Sequence, residues 1–259
     1  MSFWRRLVEK IRLEVEKRHA VSAATPDNHP EALRNPPAPL FGATLQQMSF
    51  GERAALEGLL FQLKPQVALE IGTYQGGTLR RIAPHAGHVH AFDLRNFVTD
   101  RTGLANVTFH FGDSQVELPK ALAELTAAGT RVQFALVDGD HTADGVRIDL
   151  ENLLASPACS RCVILAHDTM NEEVRAGIEA IDLPNRPNVV YLELDLVPGY
   201  RLATGSFGGS TWGGLGLIIT GDRATDGYGE QPSQSRYVAA FDLLHRCDHR
   251  EREGRDGLR

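Results

Sequence analysis

Two short polar stretches each follow an apolar run. Phe134-Ala135-Leu136-Val137 leads into Asp138-Gly139-Asp140-His141, and Val163-Ile164-Leu165-Ala166 leads into His167-Asp168-Thr169. If both runs are strands of one sheet, two acids and two histidines leave the same edge. Carboxylate oxygens so placed suit a hard divalent ion with positions left for substrate and water. Asp138 and Asp168 are the natural pair. His141, three residues beyond Asp138, is placed to act as a base, since free imidazole titrates near 6.5. The plainer alternative is a pair of capped turns with surface histidines.

Three earlier stretches carry a second kind of chemistry. Glu70-Ile71-Gly72-Thr73-Tyr74-Gln75-Gly76-Gly77 closes an apolar run with a glycine turn, which lets backbone approach a ligand without a Cβ in the way. A dinucleotide fingerprint G-x-G-x-x-G beginning at Gly72 needs glycine at 74, where Tyr74 stands. Glu70 is also a poor neighbour for a pyrophosphate and a better one for a cationic amine. Asp93 ends the next run, roughly 20 residues past the glycine turn, the place of an acid that binds ribose hydroxyls. Gly112-Asp113-Ser114 ends the third, where a short polar side chain can meet an adenine edge. Taken singly each acid is equally at home as a helix N-cap; together, at successive run ends, they describe a nucleoside site.

The elements that must position these residues alternate. Apolar runs at Val67–Ile71, His88–Phe92, Val107–Phe111, Phe134–Val137, Cys162–Ala166, Val189–Leu194 and Leu215–Thr220 read as strands. Helical periods at Thr78–Ala83, Leu118–Ala128, Ala143–Leu154 and Glu172–Ile181 separate most of them. Ser49 and Glu52 have the spacing of a capping box and open a helix with Leu56, Leu59, Leu60 and Leu63 on one face. Such alternation specifies an α/β, Rossmann-like doubly wound sheet of seven mostly parallel strands. The last two runs, joined without a helix, form a final antiparallel hairpin. Pro198–Gly216, rich in glycine and holding Tyr200 and Trp212, is either a mobile loop or a lid over the ligand site.

With these motifs in place, residues from Glu70 to about Thr220 resemble a class I S-adenosylmethionine-dependent methyltransferase. The paired motifs at Asp138–His141 and His167–Thr169 are similar to those of divalent-metal-dependent O-methyltransferases acting on sugars and other natural-product hydroxyls. The resemblance implies a cofactor site of Glu70, Gly72, Thr73, Gly76, Asp93, Asp113, Ser114 and Asp138. It also implies Mg or Mn between Asp138 and Asp168. His141 matches the proposed base of one branch and Asp140 that of another, and both are present. The family pattern has two adjacent acids where this chain has His167-Asp168, so His167 is the third candidate ligand. The expected activity is methyl transfer to a hydroxyl of a small molecule, with a sugar or glycosylated natural product favoured. The alternatives are a catechol-type phenol acceptor and a non-catalytic S-adenosylmethionine-binding protein.

Composition bounds the rest. The chain has 259 residues, net charge −6 and 42% hydrophobic content, an ordinary globular balance. An acidic chain argues against nucleic acid as a partner, and no apolar run approaches the ~20 residues of a membrane span. Three cysteines are too few for a disulfide scaffold, which fits a cytoplasmic location. The expected organisation is an amphipathic helix and connector over 1–48, a methyltransferase core over 49–222, and a helix with a charged tail over 223–259. The first helix lacks the apolar stretch of a secretory signal. Its stripe of Phe3, Trp4, Leu7, Val8, Ile11 and Val15 points to packing, with self-association as one use. Cys159 and Cys162, with distant Cys247 and His249, have the makings of a zinc site, though buried thiols are the simpler expectation.

Overall fold

The structure, a computed structural model, describes residues 48–202 and 209–222. The amphipathic stretch at the N-terminus, the proline-rich connector, the C-terminal helix with Cys247, and the tail lie outside the described residues.

Helix α1 (Phe50–Leu63) opens with the expected capping box. The Glu52 N–H donates to Ser49 Oγ at 3.3 Å, and the Glu52 carboxylate accepts from the Ser49 N–H. The helix closes at Lys64 in the left-handed conformation, φ 43°, whose N–H donates to the Leu60 carbonyl at 2.9 Å. Leu56 and Leu60 are buried on the sheet. After it come β1 (Val67–Ile71), α2 (Leu79–Ile82), β2 (His88–Asp93), β3 (Val107–Phe111), α3 (Ser114–Ala127), β4 (Phe134–Val137), α4 (Ala143–Ala155), β5 (Val163–His167) and α5 (Glu172–Glu179). The chain ends its described part with β6 (Val189–Val197), β7 (Tyr200–Arg201), β8 (Thr211–Trp212) and β9 (Leu215–Thr220).

Seven strands form one sheet in the order β3-β2-β1-β4-β5-β9-β6. The first five pair parallel, and β9 runs antiparallel to both β5 and β6. The expected closing hairpin is therefore present, with β7 and β8 forming a small antiparallel pair between its arms. Alternate strand residues feed two cores. Leu69, Ile71 and Phe92 face Leu118, Leu122, Val146, Leu150 and Ile178 of α3, α4 and α5. Ala68, Val89, Phe134 and Leu136 face Leu56, Leu60, Leu79 and Ile82 of α1 and α2.

Two boundaries differ from the apolar periods in ways that matter for the site. Helix α3 starts at Ser114, a turn before the expected Leu118, because the Asp113 side chain caps it and Pro119 is accommodated inside it. Strand β5 includes His167, paired with Leu215 of β9. His167 is thus the last residue of a buried strand and not the start of a loop.

Candidate active site

Register brings the run ends together. Ile71 pairs with Phe92 on one side and Val137 on the other, and Val137 pairs with Ala166. The next residue of each strand is Gly72, Asp93, Asp138 and His167, so these four share the carboxyl edge of the sheet. The chain reverses its winding between β1 and β4, the switch point where doubly wound sheets bind ligands.

Around β1 and β2 the backbone is shaped as a cradle. Gly72 has φ +93°, and a Cβ there would lie 2.0 Å from the Asp138 carbonyl oxygen, so no other residue fits. Its N–H and that of Thr73 donate to the Phe92 carbonyl at 2.9 and 3.2 Å. Gly76 also has positive φ, +78°, and its N–H donates to the Thr73 carbonyl at 2.9 Å. Tyr74, at φ 48°, turns its N–H to Asp93 Oδ2 at 2.6 Å, while Arg95 N–H donates to Oδ1 at 3.2 Å. The buried Asp93 carboxylate is therefore fixed by two backbone donors. Glu70 is fully buried beneath this turn, with neither carboxylate oxygen hydrogen-bonded. Burial, reinforced by Asp138 and Asp93, pushes its carboxyl well above the ordinary range. Thr73 offsets only part of this, and a cation arriving at the cradle would favour the charged carboxylate.

Asp113 serves as the N-cap of α3, its Oδ1 accepting from Gln115 N–H at 3.0 Å. Ser114 faces Asp149 of α4, a buried carboxylate pushed up to about 7, first by burial and then by Asp140 and Asp113. In the sequence Asp149 reads as one more polar residue of an amphipathic helix.

Around β4 and β5 the acids and histidines converge. His167 Nδ1 lies 2.9 Å from Asp138 Oδ1 and 3.4 Å from Asp168 Oδ2. His141 Nε2 lies 2.7 Å from Asp168 Oδ2 and 3.5 Å from Asp138 Oδ1. Burial disfavours a charged imidazole, yet hydrogen bonds to Asp138 and Asp168 outweigh it and raise His141 to about 10. The reciprocal effect of His167 and His141 holds Asp168 well below the usual carboxylate range despite its burial. Asp168 itself has φ 55°, a strained angle for a non-glycine residue. The Gly213 N–H, donating to Asp168 Oδ1 at 2.5 Å, offsets that strain.

Asp140, the other candidate base, is used differently. Its Oδ1 accepts from Thr142 N–H at 3.1 Å and its side chain packs against Gly145 at the start of α4. It joins the turn rather than the His141 cluster. Glu52 is the member that sequence reasoning missed. Its Oε1 lies 3.3 Å from His167 Nε2 and accepts from Gly214 N–H at 2.5 Å. Above the cluster, the Trp212 ring lies 5.7 Å from the His141 ring, centroid to centroid. Tyr200, across the β7–β8 pair from Trp212, packs at Gly213.

Asp138, His167 and Asp168 each offer one ligand atom within 4.8 Å of the others. Cis ligands about 2.1 Å from an ion are about 3 Å apart, close to the 2.9 Å between His167 Nδ1 and Asp138 Oδ1. The donor set therefore fits a divalent ion. Cys159 and Cys162 are buried free thiols; their expected partners in a zinc site lie outside the described residues.

A family profile described as "Methyltransferase domain" matches residues 69–169, from β1 to just past β5. Over these residues the chain is similar to a methyltransferase domain. The match covers the strands whose ends build the cradle and the acid–histidine cluster, so the methyltransferase fold expected above is the one present. No curated protein sequence matches the chain. Among solved structures, the O-methyltransferase TomG from Streptomyces achromogenes, involved in tomaymycin synthesis and in complex with SAM, is 18% identical with TM-score 0.48, over 67% of this chain and 81% of its own. An O-methyltransferase from Bacillus cereus in complex with SAH is 16% identical with TM-score 0.47, over 68% and 83%. CalS11, a TDP-rhamnose 3′-O-methyltransferase of calicheamicin biosynthesis, is 16% identical with TM-score 0.43, over 76% and 97%. No helix among the described residues is long and apolar enough to cross a membrane.

Proposed function

We propose that this methyltransferase moves the sulfonium methyl of S-adenosylmethionine to a hydroxyl of a small molecule, with a sugar or glycosylated natural product favoured. The carrying observation is the convergence of Asp138, His141, His167 and Asp168 at the carboxyl ends of β4 and β5, beside the glycine cradle. Glu70 and the Gly72–Thr73–Gly76 turn would receive the amino-acid end of the donor, Asp93 its ribose hydroxyls, and Asp113 or Ser114 its adenine. Bound there, S-adenosylmethionine supplies an electrophilic methyl group. Asp138 and Asp168, with His167, would hold Mg or Mn, which when bound supplies positive charge that offsets the two carboxylates and stabilises an alkoxide.

The chain's own part is proton handling and orientation. His141 Nε2 rests against Asp168 Oδ2 at 2.7 Å; with that carboxylate turned to the ion, the ring would lose the attraction that keeps it protonated, and Nε2 would be released to take the proton of the acceptor hydroxyl. We assign the base to His141 because Asp140 is engaged by the turn before α4. A positioned base contributes roughly 10²–10⁴-fold, and alignment of the reacting atoms contributes up to about 7–11 kcal/mol. Trp212, whose ring lies 5.7 Å from that of His141, offers a flat surface on which a sugar ring can rest, with Tyr200 close by.

The test is turnover of S-adenosylmethionine carrying a labelled methyl group, against a panel of hydroxylated sugars and glycosides, with Mg²⁺ or Mn²⁺ and with excess chelator. Metal-stimulated methylation of a sugar hydroxyl is expected. Full activity in chelator would refute the metal part, and preference for a catechol would refute the acceptor class.

A further inference from the structure

Glu52 has a job that a helix cap does not require. In a capping box one carboxylate oxygen suffices to accept the N-cap N–H, and Glu52 Oε2 does this for Ser49. Such a glutamate normally sits at the surface, yet Glu52 is 0% exposed. A carboxylate leaves water only at considerable cost unless it is paired and hydrogen-bonded. The second oxygen, Oε1, meets two groups far away in the chain, the backbone N–H of Gly214 and Nε2 of His167.

The two nitrogens of His167 are therefore distinguished. Nδ1 faces the oxygens of Asp138 and Asp168 at 2.9 and 3.4 Å. Nε2 is buried and faces Glu52 Oε1 at 3.3 Å. A histidine that ligates through one nitrogen almost always gives the N–H of the other to a carboxylate or carbonyl, which fixes its tautomer and ring angle. The same carboxylate reaches the turn between β8 and β9. Gly214 is tied to Glu52, and its neighbour Gly213 is tied to Asp168. There is no room to loosen this turn with a side chain. A Cβ on Gly213 would lie 2.9 Å from Glu52 Oε1, and one on Gly214 2.8 Å from Thr169 Oγ1.

We propose that Glu52 is the positioning residue of the metal site: it holds His167 so that Nδ1 is presented to the ion, and through Gly214 it registers the turn that orients Asp168. This rests on the metal reading given above. It also narrows the metal. A ligating imidazole moves preference from Mg²⁺ toward Mn²⁺ and later divalent ions, so His167 together with Glu52 replaces an all-oxygen site with a mixed nitrogen–oxygen one.

Mn²⁺ alone is the probe, titrated into the full chain and followed by the EPR signal of the free ion. Glu52→Gln keeps the size and one of the two acceptor oxygens but removes the charge facing Nε2; it should bind Mn²⁺ roughly 10–100-fold more weakly. Ser49→Ala removes the cap alone and should lower stability while leaving Mn²⁺ affinity unchanged. In a His167→Asp background, Glu52→Gln should no longer weaken Mn²⁺ binding, because no ring remains to be held. In the wild-type protein, pulsed EPR of bound Mn²⁺ should show coupling to a directly ligated ¹⁴N, a readout that needs no variant to fold. Equal affinity of wild type and Glu52→Gln, or bound Mn²⁺ without ¹⁴N coupling, would overturn the role of Glu52 while leaving an ion site in place. A wild-type protein that binds no Mn²⁺ would overturn the metal reading itself, and the proposal with it.

Discussion

Acid should destabilise this protein through a histidine cluster remote from the acid–histidine site. His88 and His90 lie on one face of β2, and His110 lies across from them on β3. His90 Nδ1 is 3.0 Å from His110 Nε2, and the His88 and His90 rings meet edge-on at 4.9 Å. His88 is occupied by Thr108 at 2.9 Å, and His110 stacks on Phe92 at 4.5 Å. The carboxylates felt there, Glu117 and Glu124 of α3, act on His110. Burial, then the charges His110 and His88 would carry, lower His90 from 6.5 to about 4. The unfolded chain therefore takes up a proton near pH 6.5 that the folded chain refuses. Stability from this group is complete above pH 6.5 and is lost as pH falls toward 4. At about 1.36 kcal/mol per pKa unit the ceiling is about 3 kcal/mol. His90 is partly exposed, and solvent screening brings the expected loss to about 1–2 kcal/mol. Urea midpoints of wild type and His90→Gln, measured from pH 7.5 to 4.5, isolate the effect because all other groups titrate in both proteins. Wild type should lose about 1–2 kcal/mol more than the variant across that range. Parallel profiles would show that His90 titrates normally in the folded protein and that the ring cluster tolerates charge.

Three further outcomes bear on the site. Asp93→Ala should weaken S-adenosylmethionine binding by about 1–3 kcal/mol, the usual worth of hydrogen bonds to a charged group; unchanged affinity by calorimetry would remove Asp93 from the ribose position. Gly72→Ala places a methyl 2.0 Å from the Asp138 carbonyl at φ +93°. Conformational strain alone costs about 1–2 kcal/mol, so the melting temperature should fall and donor binding with it; a wild-type melt would show that the cradle can open. His141→Ala should keep Mn²⁺ and donor binding and lose roughly 10²–10⁴-fold in kcat, whereas Asp140→Asn should stay within a few-fold of wild type. The reverse ranking in single-turnover assays would move the base to Asp140.

The fold was legible because its signals are local. Strands β1, β3, β4 and β9 coincide with the apolar runs residue for residue, and the capping box at Ser49–Glu52 is present as expected. The apolar period starts α3 a turn late because its cap, Asp113, looks the same in sequence as a ligand-binding acid. The placement of β9 between β5 and β6 was not legible, since only pairing across the sheet decides it. That insertion is what brings the Gly213–Gly214 turn down on Asp168 and Glu52.

The candidate site divides along the same line. Residues at strand ends could be found because parallel register carries Gly72, Asp93, Asp138 and His167 to one edge whatever the loops do. Glu52 could not, because its sequence context already explains it fully as a cap, and its second oxygen acts over 162 residues of chain. Its signal exists only as a physical anomaly, a capping carboxylate with no exposed surface. Asp149 is the parallel case beside Ser114, a helix residue whose complete burial is invisible to periodicity. Both lie one layer behind residues that the strand ends identified, Glu52 behind His167 and Asp149 behind Ser114. A site of this kind is therefore read from sequence as far as strand register reaches, and the groups that hold those residues in place emerge only where buried charge has to be accounted for.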